Sequence, residues 1–452
     1  METLYKDLAI IGAGPGGYEL AIKASEAGLD TCLFEYNKLG GTCLNRGCIP
    51  TKIYYQYAKI KKEANNLYNQ ELTVNFKEMK TRKDEVVSTL IKGIEASLKN
   101  VTIINERALL TKENDTIIDN IIIKSDNFEV RAKNIVIATG SKEKLLPIKG
   151  IEYAHASNDI LDLEELPKRM AIIGGGVIGM EIASIFNAFG VEISVFEYFP
   201  QILPRIDKEV SRRLQNLLKL QGIKINTNAN VTSINKIFDK YTLNASINDK
   251  DLSFEFDYIL SSTGRIPNIN GIGLDNIGIE YTKNGIIVDK YNQTNIKNVY
   301  AIGDALGGIM LAHKATSDGI IVLNHILGKE KKINLDLIPA CSFTFPEIAT
   351  IGLSEDDCKE KQIEYKILKE LYRSNGKAHA IKETDGFVKI IVNNKDDIIG
   401  ASIIGSEANL LIHEISTLMN AKIKVSDAKY YIHAHPTLSE IILSCLNKDN
   451  QR

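Results

Sequence analysis

The chain has 452 residues, 44% of them hydrophobic and 25% charged, with a formal net charge of −2. That length exceeds one ordinary core and predicts roughly two to four domains. The charge balance excludes broad nucleic-acid or anionic-membrane binding, no apolar run approaches the ~20 residues of a membrane span, and six cysteines are too few for a secreted disulfide scaffold.

The first residues, Met1 to Asp7, run directly into a strand-like segment. They show neither a signal peptide nor an Arg-rich transit segment, so a cytoplasmic location is expected. Leu8 to Ile11 reads as a short apolar strand. It meets Gly12-Ala13-Gly14-Pro15-Gly16-Gly17, then a helix-like run from Tyr18 to Ala27. A second strand, Thr31 to Phe34, is closed by Glu35. This is the grammar of a Rossmann fold. Gly12 makes the tight turn, Gly14 lets the backbone approach a pyrophosphate, Gly17 permits close helix packing, and Glu35 can bond a ribose hydroxyl.

Downstream lies Gly40-Gly41-Thr42-Cys43-Leu44-Asn45-Arg46-Gly47-Cys48-Ile49-Pro50-Thr51-Lys52. In a reducing cytosol, a closely spaced pair such as Cys43 and Cys48 is redox-active or metal-binding. No second Cys or His pair follows at zinc-ligand spacing, so no metal is expected. Cys32, Cys341, Cys358 and Cys445 are scattered and read as ordinary small apolar or surface residues. Lys77 to Lys99, charged with periodic apolar positions, predicts a surface helix. Ile135 to Ala138 then runs into Thr139-Gly140-Ser141, a strand ending that lets a backbone come close to a ligand.

The fingerprint recurs. Met170 to Ile173 is a strand, Gly174-Gly175-Gly176-Val177-Ile178-Gly179 the turn, Met180 to Phe189 the helix and Val191 to Phe196 the next strand, ended by Glu197. Two fingerprints imply two dinucleotides, or a duplication with one dead copy; neither copy is degraded. A carboxylate at Glu197 favours a free ribose 2′-hydroxyl, and Tyr198-Phe199-Pro200 offers no arginine, so NAD is favoured over NADP. Arg205, beyond Pro204, reads as structural. Ile259 to Ser262 leads into Thr263-Gly264-Arg265, and Tyr300-Ala301-Ile302-Gly303-Asp304 ends another strand with an aspartate. In a flavin site such an Asp can hold a ribityl hydroxyl; alone it is a turn. Gly328-Lys329-Glu330-Lys331-Lys332 reads as a solvated linker. Phe387 to Val392 and Ile398 to Ile404 are strand-like runs of a last domain.

With these motifs the chain resembles the flavoprotein disulfide reductases (the class I pyridine nucleotide-disulfide oxidoreductases), and among them the dihydrolipoyl dehydrogenases, over essentially its whole length. The strongest carriers are Gly40 to Lys52, Met310-Leu311-Ala312-His313-Lys314-Ala315, and His433-Ala434-His435-Pro436-Thr437-Leu438-Ser439-Glu440. The resemblance implies an α/β fold: an FAD-binding domain over 1–144, an inserted NAD-binding domain over 145–268, a return to the FAD side over 269–335, and an α+β dimerisation domain over 336–452. It implies one tightly bound, non-covalent FAD per subunit, with NAD as substrate.

Residue by residue, Cys43 would be the interchange thiol and Cys48 the thiol against the flavin. His435 would be the acid/base, held by Glu440 and serving the other subunit of a homodimer. Lys52 would sit near the flavin N5, paired with Glu181. Gly41, Thr42, Ala108, Thr139, Gly140, Asp304 and Ala312 would lie along FAD, with Glu35 on its adenosine ribose. Gly174, Gly176, Gly179, Glu197, Val231 and Gly264 would serve the NAD side. Ala108 stands where the family often has glycine, and Tyr430-Tyr431-Ile432 where small residues are commoner.

The implied activity oxidises protein-bound dihydrolipoamide and reduces NAD, for lipoyl domains of a 2-oxoacid dehydrogenase or glycine cleavage complex. The chemistry needs a thiolate, and an ordinary Cys is mostly protonated near neutrality, so a base of near-neutral pKa such as His435 suits the work. A carboxylate on its other nitrogen fixes the tautomer. His433 points elsewhere and reads as structural. The rivals are a glutathione-type disulfide reductase, disfavoured by Glu197, and a flavin-binding structural subunit of a multienzyme complex, disfavoured by the intact cysteines, His435 and Glu440. A mercuric reductase would want a terminal Cys pair, whereas Cys445 stands alone before Leu446.

Overall fold

The computed structural model describes residues 1–112, 121–330 and 333–448. Lys331 and Lys332, the end of the expected linker, lie outside the described residues. The chain divides into two compact units. The first takes Met1–Thr51, Lys80–Lys144 and Gly264–Ile333; the second takes Lys52–Met79, Leu145–Thr263 and Asn334–Arg452.

In the first unit, Thr102–Ile104, Thr31–Phe34, Glu2–Ile11 and Phe128–Ile137 form parallel neighbours. Phe128–Ile137 does two jobs. Its first half pairs antiparallel with Ile121–Lys124, and its last residues pair parallel with Val299–Ala301. Leu8 to Ile11 are buried on both faces, as an interior strand of a parallel sheet requires. The strand extends back to Glu2 because residues 2–6 keep their ladder with 128–132. Their side chains are mostly exposed and polar, so an apolar-run reading stops at Leu8. The first helix, Pro15–Glu26, likewise begins ahead of its apolar run, with proline, whose fixed φ suits the first turn, at its start. The expected surface helix spans Phe76–Ser97.

The second unit repeats the parallel arrangement in the order Lys224–Asn226, Glu192–Phe196, Arg169–Ile173, Tyr258–Ser261. An antiparallel meander of Ala229–Ile237, Lys240–Ile247 and Lys250–Phe256 follows it. The helix Val177–Ala188 is buried continuously from Gly179 to Phe186, and its Met180 and Phe186 share a core with Tyr54 and Ala58 of the long helix Cys48–Tyr68. The C-terminal part is a five-stranded antiparallel sheet in the order Ala340–Ser342, Ile348–Gly352, Ile398–Ile404, Phe387–Asn393, Tyr365–Leu371. The apolar faces of helices Ala408–Asn420 and Glu440–Leu446 close its core. The architecture is α/β with two Rossmann-like sheets and an α+β C-terminal part.

Candidate active site

In the first unit, Gly12 turns the chain with φ +107°, a backbone only glycine adopts readily. A β-carbon on Gly17 would lie 1.9 Å from the Gly12 carbonyl oxygen, so glycine alone lets the helix pack this close to the strand. At Gly14, the first helix's N-cap, a β-carbon would meet nothing within 4 Å. That open helix terminus can receive phosphate oxygens. Glu35 accepts hydrogen bonds from Ala13 N–H at 3.0 Å and Asn37 N–H at 2.8 Å, one on each carboxylate oxygen.

The cysteine segment starts against this turn. Gly40 N–H donates to the Ala13 carbonyl at 2.8 Å, and a β-carbon on Gly41 would lie 2.7 Å from the Gly14 Cα. Cys43 sits in the short helix Gly41–Arg46 and Cys48 opens the next helix. Asn45 ties the segment by donating to the carbonyls of Leu39 and Gly41, both at 2.9 Å. Cys43 and Cys48 form a disulfide with their Cα atoms 4.8 Å apart; Cys43 is half-buried and Cys48 exposed. Cys32, Cys358 and Cys445 are buried and Cys341 half-buried, and desolvation pushes the Cys32 thiol up to about 12 and that of Cys341 to about 11. The disulfide pair is therefore set apart from thiols held protonated.

Further along the same unit, Asp304 accepts the Ser141 hydroxyl at 2.6 Å, and Arg265 grips Ser141 through its hydroxyl and its carbonyl, each at 2.7 Å. Buried Asp318 accepts from Gly303 N–H at 2.9 Å and from Lys314 at 2.7 Å, which fixes the backbone beside Asp304. Asp318 escaped the sequence reading; its one signal there is the i, i+4 spacing to Lys314. Ala312 begins the helix Ala312–Ile326, and Ala108 packs in the sheet core with Ile104 and Leu110. Thr139 Oγ1 and Asn45 Oδ1 are buried polar atoms with no hydrogen-bond partner, beside Gly140 and Gly41 respectively. Open glycines, an acid beside the turn and orphaned polar atoms together fit a dinucleotide.

The second unit carries the same cradle. Gly174 has φ +105°, and a β-carbon on Gly179 would lie 2.1 Å from the Gly174 carbonyl oxygen, whereas one on Gly176 would meet nothing within 4 Å. Glu197, buried, accepts from Gly175 N–H at 2.6 Å and Phe199 N–H at 2.8 Å. Val231 lies on the meander with its side chain in the core beside Ile173 and Phe196, so a role toward a nucleotide would fall to its main chain. Gly264, φ +112°, belongs to the first unit, where its carbonyl accepts from Lys144 N–H at 3.0 Å. Arg205 is exposed.

Also in the second unit, Lys52 makes an ion pair with buried Glu181 at 2.8 Å. His435 is exposed, and its Nδ1 lies 3.0 Å from Glu440 Oε1, while Glu440 Oε2 accepts from Thr437 N–H at 2.8 Å. Those two contacts hold the Glu440 carboxyl below its ordinary range, the Thr437 N–H foremost. His435 Nε2 is thereby aimed away from the pair, as a proton acceptor needs. His433 turns instead to Glu414, with Nε2 to Oε1 at 2.6 Å.

Residues 6–319 match the family described as pyridine nucleotide-disulphide oxidoreductase, and residues 338–444 match its dimerisation domain. The chain is 37% identical over 450 residues to a dihydrolipoyl dehydrogenase of Chlamydia trachomatis, covering 96% of this chain and 95% of the relative. It is 36% identical over 451 residues to the mitochondrial dihydrolipoyl dehydrogenase of Pisum sativum, covering 96% and 90%. Among solved structures, the HOCl-induced flavoprotein disulfide reductase RclA of Escherichia coli superposes with a TM-score of 0.86 at 28% identity, covering 98% of each chain. With two nucleotide cradles, a disulfide pair against the first, and matches over nearly its full length, the chain belongs to the pyridine nucleotide-disulphide oxidoreductases.

Proposed function

We propose that this protein is an NAD-dependent dihydrolipoyl dehydrogenase, oxidising dihydrolipoamide to lipoamide. The observation that carries the reading is the Cys43–Cys48 disulfide, built on a segment that starts against the Gly12–Gly17 turn. The family uses FAD and NAD. FAD, when bound, supplies the two-electron link between a dithiol and NAD.

The protein's own residues account for the remaining steps. One substrate thiolate attacks Cys43, the bond to Cys48 breaks, and Cys48 leaves as thiolate. His435 takes the proton of the second substrate thiol, which then displaces Cys43 and closes the dithiolane. The substrate loses two electrons and the enzyme disulfide gains them. Glu440 fixes the tautomer of His435 and stabilises its cationic form. Lys52, paired with Glu181, would stand near the bound flavin. Glu35 and Glu197 select the two riboses, and Glu197 disfavours a 2′-phosphate.

The dimerisation domain supports a homodimer. In it His435 serves the cysteine pair of the second copy, so the monomer is inactive. The substrate is carried by lipoyl domains of a 2-oxoacid dehydrogenase or glycine cleavage complex, in the cytoplasm. No helix among the described residues is long and apolar enough to cross a membrane.

The test is NADH production from NAD and dihydrolipoamide by the FAD-loaded protein, with Cys48→Ser and His435→Gln as controls. Turnover abolished by Cys48→Ser and strongly reduced by His435→Gln supports the assignment. Absence of turnover together with NADPH-dependent reduction of glutathione disulfide overturns it.

A further inference from the structure

The ion pair between Lys52 and Glu181 is held from both ends by one residue that no nucleotide or cysteine motif marks. Phe343 donates its main-chain N–H to Glu181 Oε1 at 2.9 Å, while Glu181 Oε2 takes the Lys52 ammonium at 2.8 Å. The same ammonium lies 4.3 Å from the centroid of the Phe343 ring. That is within cation–π range.

The ring is itself fixed. Tyr55, on the same face of the helix Cys48–Tyr68 as Lys52, meets Phe343 edge-on, with centroids 5.5 Å apart and planes at 79°. Tyr55 is stacked on Phe345 at 4.8 Å and donates its hydroxyl to buried Glu347 at 2.6 Å. Glu347 is anchored through its other oxygen, which accepts from Asn409 N–H at 3.2 Å. The segment carrying Phe343 is thus a rigid support. A lysine on a flexible four-carbon stem, with one carboxylate partner, has many orientations of similar energy. A ring face under the ammonium removes most of them.

We propose that Phe343 is a positioning residue that sets the place of the Lys52 charge, and through it the reduction potential of the bound flavin. The inference rests on the reading that Lys52 faces the flavin. A positive charge held close favours the form carrying the extra electrons, so a loosened ammonium lowers the potential. Main-chain support of Glu181 survives any side-chain change, so substitution at Phe343 isolates the ring.

The experiment is a dye-equilibrium redox titration of the FAD-loaded dimer bearing Phe343→Leu, Phe343→Tyr or Lys52→Met. A parallel series places mono-, di- and trifluorinated phenylalanine at the same position. Fluorine weakens the ring's negative face with little change of shape, so this series reads out even where Phe343→Leu does not fold. The expected result is a stepwise fall in potential with fluorination. It should reach about a two- to fivefold shift of the reduced-to-oxidised ratio at fixed poise, matched by Phe343→Leu and largely restored in Phe343→Tyr. Wild-type potentials across the fluorinated series, alongside a shifted Lys52→Met, overturn the role of Phe343. An unshifted Lys52→Met overturns the placement of Lys52 at the flavin, and this inference with it.

Discussion

Glu35 and Glu197 occupy equivalent positions and do the same work in the two nucleotide folds. Each spreads its carboxylate between the N–H just after the first turn glycine, Ala13 or Gly175, and the N–H two residues beyond itself, Asn37 or Phe199. Each oxygen therefore spends one acceptor site on the backbone and keeps another for a ribose hydroxyl. The acid braces the turn and, in the function proposed above, also reads the sugar.

Replacing Glu197 with Gln separates these roles. An amide has one acceptor oxygen, so one of the two backbone donors loses its partner, a cost of about 1–3 kcal/mol. The negative charge that repels a 2′-phosphate also disappears. The preference for NAD over NADP, measured as the ratio of kcat/KM values, should fall at least about tenfold. Glu35→Gln should instead lower FAD retention and leave that ratio alone. An unchanged ratio in Glu197→Gln would remove Glu197 from cofactor selection.

Much of this site was legible in the chain because its determinants are local. Gly12 and Gly17, Gly174 and Gly179, Cys43 and Cys48, and His435 and Glu440 meet partners a few residues away, so spacing carries the geometry. Asp318 under Gly303 is marked only by its spacing to Lys314, and Phe343 under Lys52 has no such mark. Phe343 meets Lys52 and Glu181 only once distant segments pack, and apolar patterning sees it as one more core residue. The first half of the strand Glu2–Ile11 was hidden for a different reason. Its hydrogen bonds are regular, but of its side chains only Leu4 packs on a core while Glu2, Thr3 and Tyr5 are exposed.

His435→Gln should reduce kcat with dihydrolipoamide by about a hundred- to ten-thousandfold, the span of general base catalysis, while FAD content and NAD affinity stay as in the wild type. Glu440→Gln should cost less, because the imidazole remains and the amide oxygen can still accept its Nδ1 proton. Glu440 is held below the ordinary carboxylate range by Thr437 N–H and then by His435, so its charge is lost only as pH falls through that lowered value. The Glu440 carboxylate is therefore charged throughout the neutral range, and the loss in Glu440→Gln should be felt across that range and not only in acid. A Glu440→Gln variant as inactive as His435→Gln would contradict this division of labour.

His433 supplies a pH-dependent brace for the same segment. Burial pulls its pKa down, but the Glu414 hydrogen bond and charge, with the Tyr431 carbonyl, raise it on balance. A raised histidine pKa gives stability that is full below the unfolded value and is lost as pH rises through the folded one. Glu414→Gln should thus cost on the order of 1 kcal/mol more at about pH 6 than at about pH 9, by chemical denaturation. The variant also loses the Ser439 contact at both pH values, so the difference between the two is the readout. Equal losses would mean that the imidazolium contributes nothing.

Lys389 is the most demanding ion site in the second unit. It is 1% exposed, and its ammonium meets Asp207 at 2.7 Å, Glu355 at 2.7 Å and Glu209 at 3.2 Å. Asp207 is doubly committed, because its other oxygen caps the helix Lys208–Leu220 by accepting from Glu209 N–H and Val210 N–H. Lys389→Met keeps the volume but takes the ammonium from buried Asp207, while Glu209 keeps Lys369 and Glu355 keeps Lys359. Breaking a buried pair from one side costs about 3–5 kcal/mol, more than the pair itself is worth. Asp207→Asn in the Lys389→Met background removes that uncompensated charge, while its amide oxygen still caps the helix. The double variant should therefore be more stable than Lys389→Met alone, an interaction energy of opposite sign to the single losses. Urea titrations of the four proteins read that sign directly. Simple additivity would mean that the ammonium stabilises by packing and not by neutralising Asp207.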